Sequence, residues 1–290
     1  MPLSIKQPWD LPELDLNAYR YKFLAEGDSW FSIGEMPPWA TSNLLYGMTD
    51  GFAQRNLVIN CARQGDTLSH MHQMWWDANF TRLLDAPRLS YWWDALLLSA
   101  GGNDMIDACL VSPDVPGPHQ RLLLRPDEVG PDALPEDFVS PGGWRAFTGY
   151  LRANFSDLVW RRDRGLNPGA ALFLHTYSRV TVRNAPAGLP PFPRVGPWLY
   201  RALTLYQVPQ GLRQAVADAL FQRLAALLLS LADPAQRVFV FDSQDPAIGI
   251  VPAMVGSTGV SNDFENEIHL TPAGYRKIGR VFAAFIESRL

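Results

Sequence analysis

A serine, a glycine, an asparagine and a histidine lie in four short polar segments that are far apart in the sequence. Ser29 follows a glycine and an aspartate, Gly65 follows a glutamine, Asn103 follows two glycines, and His269 lies near the end of the chain. A serine hydroxyl attacks an acyl carbon when a histidine takes its proton, while backbone or amide N–H groups hold the oxyanion that forms. The four segments therefore predict acyl-transfer chemistry, provided that the fold brings them together.

Five short apolar runs, separated by longer stretches, predict the strands that position these segments. Each run is continuously apolar rather than alternating, which is typical of parallel strands covered on both faces. The carboxyl ends of such strands share one edge of a sheet, and open α/β sheets build their sites there. Alternating strands and helices thus predict one parallel sheet between two layers of helices. The runs are Tyr21–Glu26, Asn56–Cys61, Ala95–Ala100, Ala170–His175 and Arg237–Phe241.

Two helices have clear sequence signals. Apolar residues recur with a 3.6-residue period from Leu212 to Leu231, before Asp233 and Pro234 stop the pattern. Thr271 followed by a proline predicts the N-cap and first residue of a helix that runs to the C-terminus. No internal repeat and no linker divides the chain, so we predict a single domain over residues 1–290.

In their order, the four polar segments resemble the blocks of the SGNH (GDSL-type) hydrolase superfamily. Gly-Asp-Ser contains Ser29, the second block contains Gly65, Gly-x-Asn-Asp contains Asn103, and the C-terminal block contains His269. The resemblance implies a three-layer α/β/α sandwich, flavodoxin-like, with a five-stranded parallel sheet. It also implies a serine esterase or lipase that works without a metal or cofactor. Ser29 would be the nucleophile and His269 its base, and the Ser29 and Gly65 N–H groups with the Asn103 side chain would bind the oxyanion.

The histidine segment departs from the family at one position. The family usually has an aspartate three residues before the histidine, where this chain has Asn266. Asn266 can accept a hydrogen bond from the imidazole but supplies no charge to the imidazolium, and its amide can also favour the wrong tautomer. Asp263 and Glu267 are nearby carboxylates that can substitute, or can equally be solvated turn residues. We take Asp263 as the first candidate for the third triad member, with Asn266 as the alternative.

The substrate is less defined than the chemistry. We expect a carboxylic ester hydrolase acting on a small-molecule ester with a small or medium acyl group, including an acetylated sugar. Acyl transfer to a sugar is an alternative within the same mechanism. A catalytically weakened binding protein on this fold is a second alternative, which Asn266 alone supports and the intact set of Ser29, Gly65, Asn103 and His269 opposes.

Composition and the lack of certain motifs exclude several other classes. The net charge of −4 and the lack of any Lys/Arg run argue against a nucleic-acid partner, and no phosphate-binding glycine motif is present. The longest apolar run, Ala225–Ala232, is far shorter than the roughly 20 residues of a membrane span. The N-terminus has no signal-peptide pattern, so a cytoplasmic location is expected. Cys61 and Cys109 are too few for a disulfide framework.

Two proline-rich segments interrupt the strand and helix pattern. Residues 113–141 contain seven prolines and residues 184–197 contain five. Each follows the end of a predicted strand by a short interval. They are interpreted either as loops that wall a substrate pocket or as stiff surface insertions.

Some histidines and tryptophans are expected to be structural. His70 and His72 are two residues apart on a predicted helix and therefore point to different faces, which argues against a metal site. His175 ends a predicted strand, where a buried role is favoured over a place in the pocket wall. The pairs Trp75-Trp76 and Trp92-Trp93 are interpreted as core packing rather than as sugar-binding surfaces.

Overall fold

Six parallel strands form one sheet in the computed structural model, which describes residues 2–32, 42–188 and 194–290. All five predicted strands are present, and a sixth at the N-terminus corrects the expected count of five. The order across the sheet is β1-β3-β2-β4-β5-β6, and every neighbouring pair is parallel. The strands are β1 (Leu3–Lys6), β2 (Lys22–Gly27), β3 (Asn56–Asn60), β4 (Ala95–Ser99), β5 (Ala171–His175) and β6 (Val238–Phe241).

The sequence does not predict strand β1, because this strand lies at the edge of the sheet. It pairs only with β3, and of its four residues only Leu3 is buried. Leu3 and Ile5 alternate with Ser4 and Lys6, so the segment lacks the continuous apolarity of the other five strands. Four alternating residues give too weak a signal to identify a strand on their own.

Helices cover both faces of the sheet and complete the three-layer α/β/α architecture. On one face α9 packs against α2, and its aromatic residues contact Phe173 and Phe241 of the sheet. The helices apart from this face include α4 and α6, which pack against each other, and α8, which contacts β6. The helices are α1 (Ser29–Ser32), α2 (Leu44–Gly47), α3 (Leu68–Met71), α4 (Ala78–Asp85), α5 (Gly102–Leu110), α6 (Pro141–Arg164), α7 (Leu199–Leu205), α8 (Arg213–Leu229) and α9 (Pro272–Glu287).

The two helices with clear sequence signals form where predicted. Helix α8 buries the leucine-rich stripe and ends before Asp233, whose side chain accepts N–H groups of the following 3₁₀ turn. The Thr271 side chain caps α9 by accepting the Gly274 N–H at 3.2 Å, and Pro272 occupies the first helical position. Within the described part of the chain, no helix is both long enough and apolar enough to cross a bilayer.

Candidate active site

The serine end of the site is built by β2 and the turn that follows it. β2 runs buried to Gly27, and Ser29 begins α1 with only 7% of its surface exposed. A Cβ added at Gly27 would lie 2.7 Å from the Cβ of Ser99 on the adjacent strand β4. Glycine at this position therefore allows the ends of β2 and β4 to approach closely. The Ser29 N–H belongs to the first helical turn, where N–H groups have no acceptor within the helix.

Asp28 anchors this turn through three hydrogen bonds. Its Oδ1 accepts the backbone N–H of Trp30 at 2.9 Å and the hydroxyl of Ser99 at 2.7 Å. Its Oδ2 accepts the phenol of Tyr177 at 2.5 Å. Burial raises the pKa of Asp28 to about 6, although the three donors act in the opposite direction. A buried carboxyl group thus fixes the start of α1 from three sides.

The histidine end lies in the segment before α9. His269 is buried, its Nε2 lies 2.7 Å from Ser29 Oγ, and its Nδ1 lies 3.0 Å from Asn266 Oδ1. The structure therefore brings together the predicted nucleophile and base, which are 240 residues apart in the sequence. A hydroxyl, an imidazole and an amide oxygen form one continuous hydrogen-bonded chain.

The hydrogen bonds around Asn266 fix the tautomer of His269. Asn266 Oδ1 also accepts the backbone N–H groups of Ile268 at 3.1 Å and of His269 at 3.0 Å. Because backbone N–H groups only donate, the atom they contact is the amide oxygen, so Nδ1 of His269 must carry the proton that it donates. Nε2 is then free to accept the Ser29 proton. Burial lowers the pKa of His269 to about 3, so the imidazole is neutral over the ordinary pH range.

Asp263, the first candidate for the third triad member, does not contact the imidazole. Its Oδ2 instead accepts the backbone N–H of Val251 and the ammonium of Lys277, each at 2.6 Å. Its own N–H donates to the Val251 carbonyl at 3.3 Å, so these two segments are paired and direct the carboxylate away from His269. The expectation of Asp263 as the histidine partner is therefore corrected, and Asn266 occupies that position.

Glu267 is fully buried but faces a helix terminus rather than the imidazole. Its carboxylate accepts the backbone N–H groups of Trp198, Leu199 and Tyr200, which begin α7. Burial raises the pKa of Glu267 to about 7. The Trp198 ring lies edge-on against the His269 ring, with centroids 5.3 Å apart. Glu267 therefore positions a wall of the histidine pocket.

Arg183 and Tyr177, both of which follow β5, support the site although the sequence analysis did not single them out. Arg183 is 1% exposed, and its guanidinium donates to the carbonyl oxygens of Asn266 and Gly259. It also donates to the Ser257 hydroxyl at 3.0 Å. The histidine segment is thereby tied to the end of β5. The only sequence signal for either residue is its place after a strand whose carboxyl end faces the site.

Asn103, in the first turn of α5, borders the serine and contacts the loop that contains Gly65. Asn103 Nδ2 donates to the Asp66 carbonyl at 3.0 Å, and Asn103 borders the same cavity as Ser29. A side-chain amide has two protons, so its other N–H is available to a ligand oxygen. Gly65 has a φ of +76° and open space where a Cβ would lie, which suits a close approach by a ligand. Gly65 thus belongs to the loop that Asn103 contacts.

A small apolar cavity adjoins Ser29 and Asn103. Its volume is about 20 Å³, not far above the roughly 10–15 Å³ that one water molecule requires. The space beside the serine therefore suits a small apolar group. Besides Ser29 and Asn103, residues on its lining include Trp30, Ile106, Tyr177, Val180, Phe221 and Ile268.

The two proline-rich segments differ in their relation to the site. No residue of 113–141 borders the cavity; its 3₁₀ turns pack against α6 and α8 instead. The described part of 184–197 approaches the histidine, because the Ala185 carbonyl accepts the Glu267 N–H at 3.0 Å. Residues 189–193 lie outside the described residues. The interpretation as a pocket wall thus gains support only for the second segment.

The core-packing interpretation of the tryptophan pairs is wrong for three of the four residues. Trp75 is 97% exposed, and Trp76 and Trp92 are more than half exposed, whereas Trp93 is buried. Adjacent residues point to different sides of the chain, so a Trp-Trp pair does not by itself specify burial.

The histidines outside the site have separate structural partners. His175 is buried and stacks on Trp30, as expected for a residue within the core. His70 contacts Asp66 and Trp76, whereas His72 Nε2 lies 2.8 Å from Asn154 Oδ1. His70 and His72 therefore share no partner.

No family model matches the sequence, and no curated protein sequence does either. Solved structures with a similar chain path include an extracellular lipase from Streptomyces rimosus, with 13% identity, a TM-score of 0.49 and coverage of 93% of this chain and 100% of the other. An acetylxylan esterase from Geobacillus stearothermophilus has 12% identity, a TM-score of 0.46 and coverage of 93% and 95%. A protein from Slackia heliotrinireducens, described as a candidate SGNH hydrolase, has 14% identity, a TM-score of 0.45 and coverage of 92% and 98%. Their descriptions thus include the superfamily that the four sequence blocks resemble.

Proposed function

We propose that this protein is a serine carboxylic ester hydrolase of the SGNH type, with Ser29 as the nucleophile. The observation that carries the proposal is the 2.7 Å contact between Ser29 Oγ and the unprotonated Nε2 of His269. A nucleophile and a base within hydrogen-bond reach, with the base oriented by a third group, are the minimum for covalent acyl transfer. Asn266 is that third group.

In the proposed reaction, each proton that moves has a donor and an acceptor, and each bond that forms is matched by one that breaks. Ser29 Oγ bonds to the acyl carbon while its proton passes to His269 Nε2. The negative charge on the acyl oxygen is held by the N–H groups of Ser29 and Gly65 and by Asn103 Nδ2. The imidazolium then protonates the departing alcohol, and the C–O ester bond breaks. Water attacks the acyl-serine by the same route, which releases the acid and restores the hydroxyl.

The size of the cavity supports a short acyl group. A volume of about 20 Å³ accepts the methyl group of an acetyl ester more readily than a long alkyl chain. A longer chain inside this space would press against large buried side chains such as Trp30 and Phe221, and overpacking a filled core is unfavourable. We therefore propose acetyl esters as the preferred substrates.

An acetylated sugar is the substrate that a further observation favours. The loop between β3 and α3, which contains Gly65 and Asp66, is called the oxyanion loop. Trp75 and Trp76 are exposed on the segment that follows this loop. The Trp76 ring stacks on His70 with centroids 4.6 Å apart, and His70 Nδ1 lies 3.4 Å from Asp66 Oδ1. The Asp66 carbonyl in turn accepts from Asn103. An exposed aromatic surface linked to the oxyanion loop in this way suits the flat face of a sugar ring.

Hydrolysis of p-nitrophenyl esters from acetate to palmitate, together with an acetylated xylo-oligosaccharide, tests these proposals. We expect acetate to be cleaved fastest and Ser29→Ala to lose essentially all hydrolysis while keeping a Tm close to that of the wild type. A fluorophosphonate probe should label Ser29. Ser32→Ala is the matched control, because Ser32 lies on the same helix and, among the described residues, its hydroxyl donates to the Asp28 carbonyl at 3.1 Å rather than to His269.

Three results would separate the alternatives. Unchanged turnover by Ser29→Ala, or labelling of a different serine, would reject the nucleophile. A fall in released acid when a sugar alcohol is added, with a matching acylated product, would indicate acyl transfer. Binding of an ester without turnover would leave the weakened binding protein as the correct function.

A further inference from the structure

Three buried carboxylates lie together at the oxyanion loop, and none of them belongs to the proposed catalytic residues. Glu26 is in β2, Asp66 is in the loop after β3, and Asp77 is the N-cap of α4. One oxygen atom from each lies within 4.8 Å of the others. Glu26 and Asp77 are fully buried, and Asp66 is 9% exposed. Three acidic groups from three separate elements thus converge in the protein interior.

Each carboxylate is fixed through one of its two oxygen atoms by a backbone N–H. Glu26 Oε1 and Asp66 Oδ1 accept the N–H of the next residue at 2.7 and 3.0 Å, and Asp77 Oδ1 accepts the N–H of Phe80 at 2.8 Å. The second oxygen of Asp77 lies 3.2 Å from Arg63 Nε. These bonds hold the carboxylates in place before any ligand arrives.

One of the remaining oxygen atoms is unpartnered. Among the described residues, Glu26 Oε2 has no hydrogen-bond donor, although its side chain is completely buried. Buried polar atoms in folded proteins are almost always paired, so an unpartnered carboxylate oxygen indicates a group that binds there. A buried carboxylate with an unpartnered oxygen needs a cation or a shared proton beside it.

The positive charge nearby does not balance the three carboxylates. Arg63 Nε lies 3.2 Å from Asp77 Oδ2, with its side chain half exposed, and His70 Nδ1 lies 3.4 Å from Asp66 Oδ1. One half-exposed guanidinium does not offset three carboxylates. A divalent cation among them would supply the positive charge that is lacking.

We propose that Glu26, Asp66 and Asp77 bind a hard divalent cation: Ca²⁺, Mg²⁺ or Mn²⁺. Carboxylate oxygens are the ligands these ions prefer, and water completes their coordination. Ligands on opposite sides of such an ion are about 4.2 to 5.2 Å apart, given bond lengths of about 2.1 to 2.6 Å. The 4.8 Å limit on the oxygen separations agrees with this span.

The cation would add a direct link between three elements, beyond the contacts that Arg63 makes with Gly27 and Asp77. It would link the strand that leads to Ser29 to the loop that carries Gly65 and to the start of α4. The same loop contains the Asp66 carbonyl, which accepts the Asn103 amide at 3.0 Å. The ion has a structural role here and takes no part in the ester chemistry.

Direct binding to the full-length protein tests the proposal. Protein is stripped with EDTA, dialysed into metal-free buffer at pH 7.5 and titrated calorimetrically with CaCl₂, MgCl₂ or MnCl₂, with Tm measured in parallel at 1 mM cation. At least one cation should bind with a stoichiometry of one. If Kd is 100 μM or lower, 1 mM cation should raise the Tm by at least about 2 °C.

Substitutions of the proposed ligands test whether the cation binds at these three residues. Glu26→Gln and Asp66→Asn each remove one ligand charge, and both should lose the Tm response. Asp85→Asn is the matched control, because Asp85 is a buried carboxylate at the other end of α4 that is paired with Arg161 and Arg164. It should keep the response even if its own Tm is lower.

Absence of binding to the wild type by all three cations would overturn the proposal and indicate that the carboxylates share protons. Binding that persists in both ligand variants would also overturn it.

Discussion

The two ends of the Ser29–His269 hydrogen bond differ in the charge of the group that supports each one. Beside Ser29, the carboxyl group of Asp28 accepts from a backbone N–H, a serine and a tyrosine. Behind His269, the amide of Asn266 accepts from two backbone N–H groups and the imidazole. An ionisable group therefore fixes the proposed nucleophile, whereas a neutral group orients the proposed base.

This difference separates two functions that one aspartate combines in a charged triad. Such an aspartate selects the histidine tautomer and also stabilises the imidazolium. Here the backbone N–H groups fix the amide oxygen of Asn266, so the tautomer is selected without charge. Stabilisation of the imidazolium by a carboxylate is missing, which agrees with the lowered pKa of His269. The site thus provides orientation but no charge behind the base.

Removal of the Asn266 amide should have the largest effect of the changes that test this comparison. Asn266→Ala leaves Nδ1 of His269 without its acceptor, so the ring can rotate and the other tautomer becomes available. We expect kcat to fall on the order of 10²- to 10⁴-fold, the upper value being the scale for loss of the correct tautomer in a serine protease. Steady-state kinetics with p-nitrophenyl acetate measures this, and a Tm measurement verifies folding.

Asp263→Asn is the matched control for Asn266→Ala. Asp263 lies in the same segment and carries the charge that a triad would use, but it contacts Val251 and Lys277 rather than the imidazole. Its kcat should stay within about threefold of the wild type. A crippled Asp263→Asn together with an active Asn266→Ala would reverse our assignment of the histidine partner.

The parts of the site that lie directly after buried strands could be predicted from the sequence. Ser29 and Asn103 follow continuous apolar runs, and the carboxyl ends of parallel strands necessarily share one edge. Their proximity therefore follows from the fold class. The edge strand β1 gives no such run, so the sixth strand could not be predicted in the same way.

Contacts made by loops could not be predicted, because the path of a loop depends on backbone pairing that leaves no periodic signal. As the first candidate for the histidine partner, Asp263 would need a turn that brings its carboxylate under the ring. The pairing of Asp263 with Val251 prevents this. In the same way, the place of Arg183 depends on carbonyl groups of Gly259 and Asn266, which the residue types around it do not reveal.

Loss of the Asp28 charge should have an intermediate effect on the serine end. In Asp28→Asn an NH₂ group replaces one acceptor oxygen, so either Tyr177 or Ser99 loses its partner. We expect a roughly tenfold lower kcat, because the start of α1 is less well fixed, and a stability loss of about 1 to 3 kcal/mol. Kinetics and urea unfolding measure the two effects. A variant as active and stable as the wild type would show that Asp28 does not anchor the nucleophile.

The pH dependence of stability gives a separate test of the Asp28 environment. Its pKa is raised from 3.8 to about 6 in the folded protein, so the folded state holds this proton more tightly than the unfolded state between those values. The associated stability is present below pH 4 and is lost as the pH rises through 6. The wild type should therefore lose on the order of 3 kcal/mol more than Asp28→Asn between pH 4 and pH 7. Parallel pH profiles for the two proteins would reject a buried, proton-binding Asp28.

The smallest expected change in rate comes from placing a charge behind the base. Neutral imidazole is the active form, so activity rises as the pH increases through the pKa of His269, which burial lowers to about 3. In Asn266→Asp the new carboxylate would favour the imidazolium and raise this pKa. The acidic limb of kcat/KM should therefore move upward by at least one pH unit, while kcat at pH 8 changes by less than about tenfold. Asn262→Asp, which adds the same charge at an exposed position in the segment, should leave the limb in place. An unmoved limb in Asn266→Asp would mean that a group other than His269 sets the acidic side of the profile.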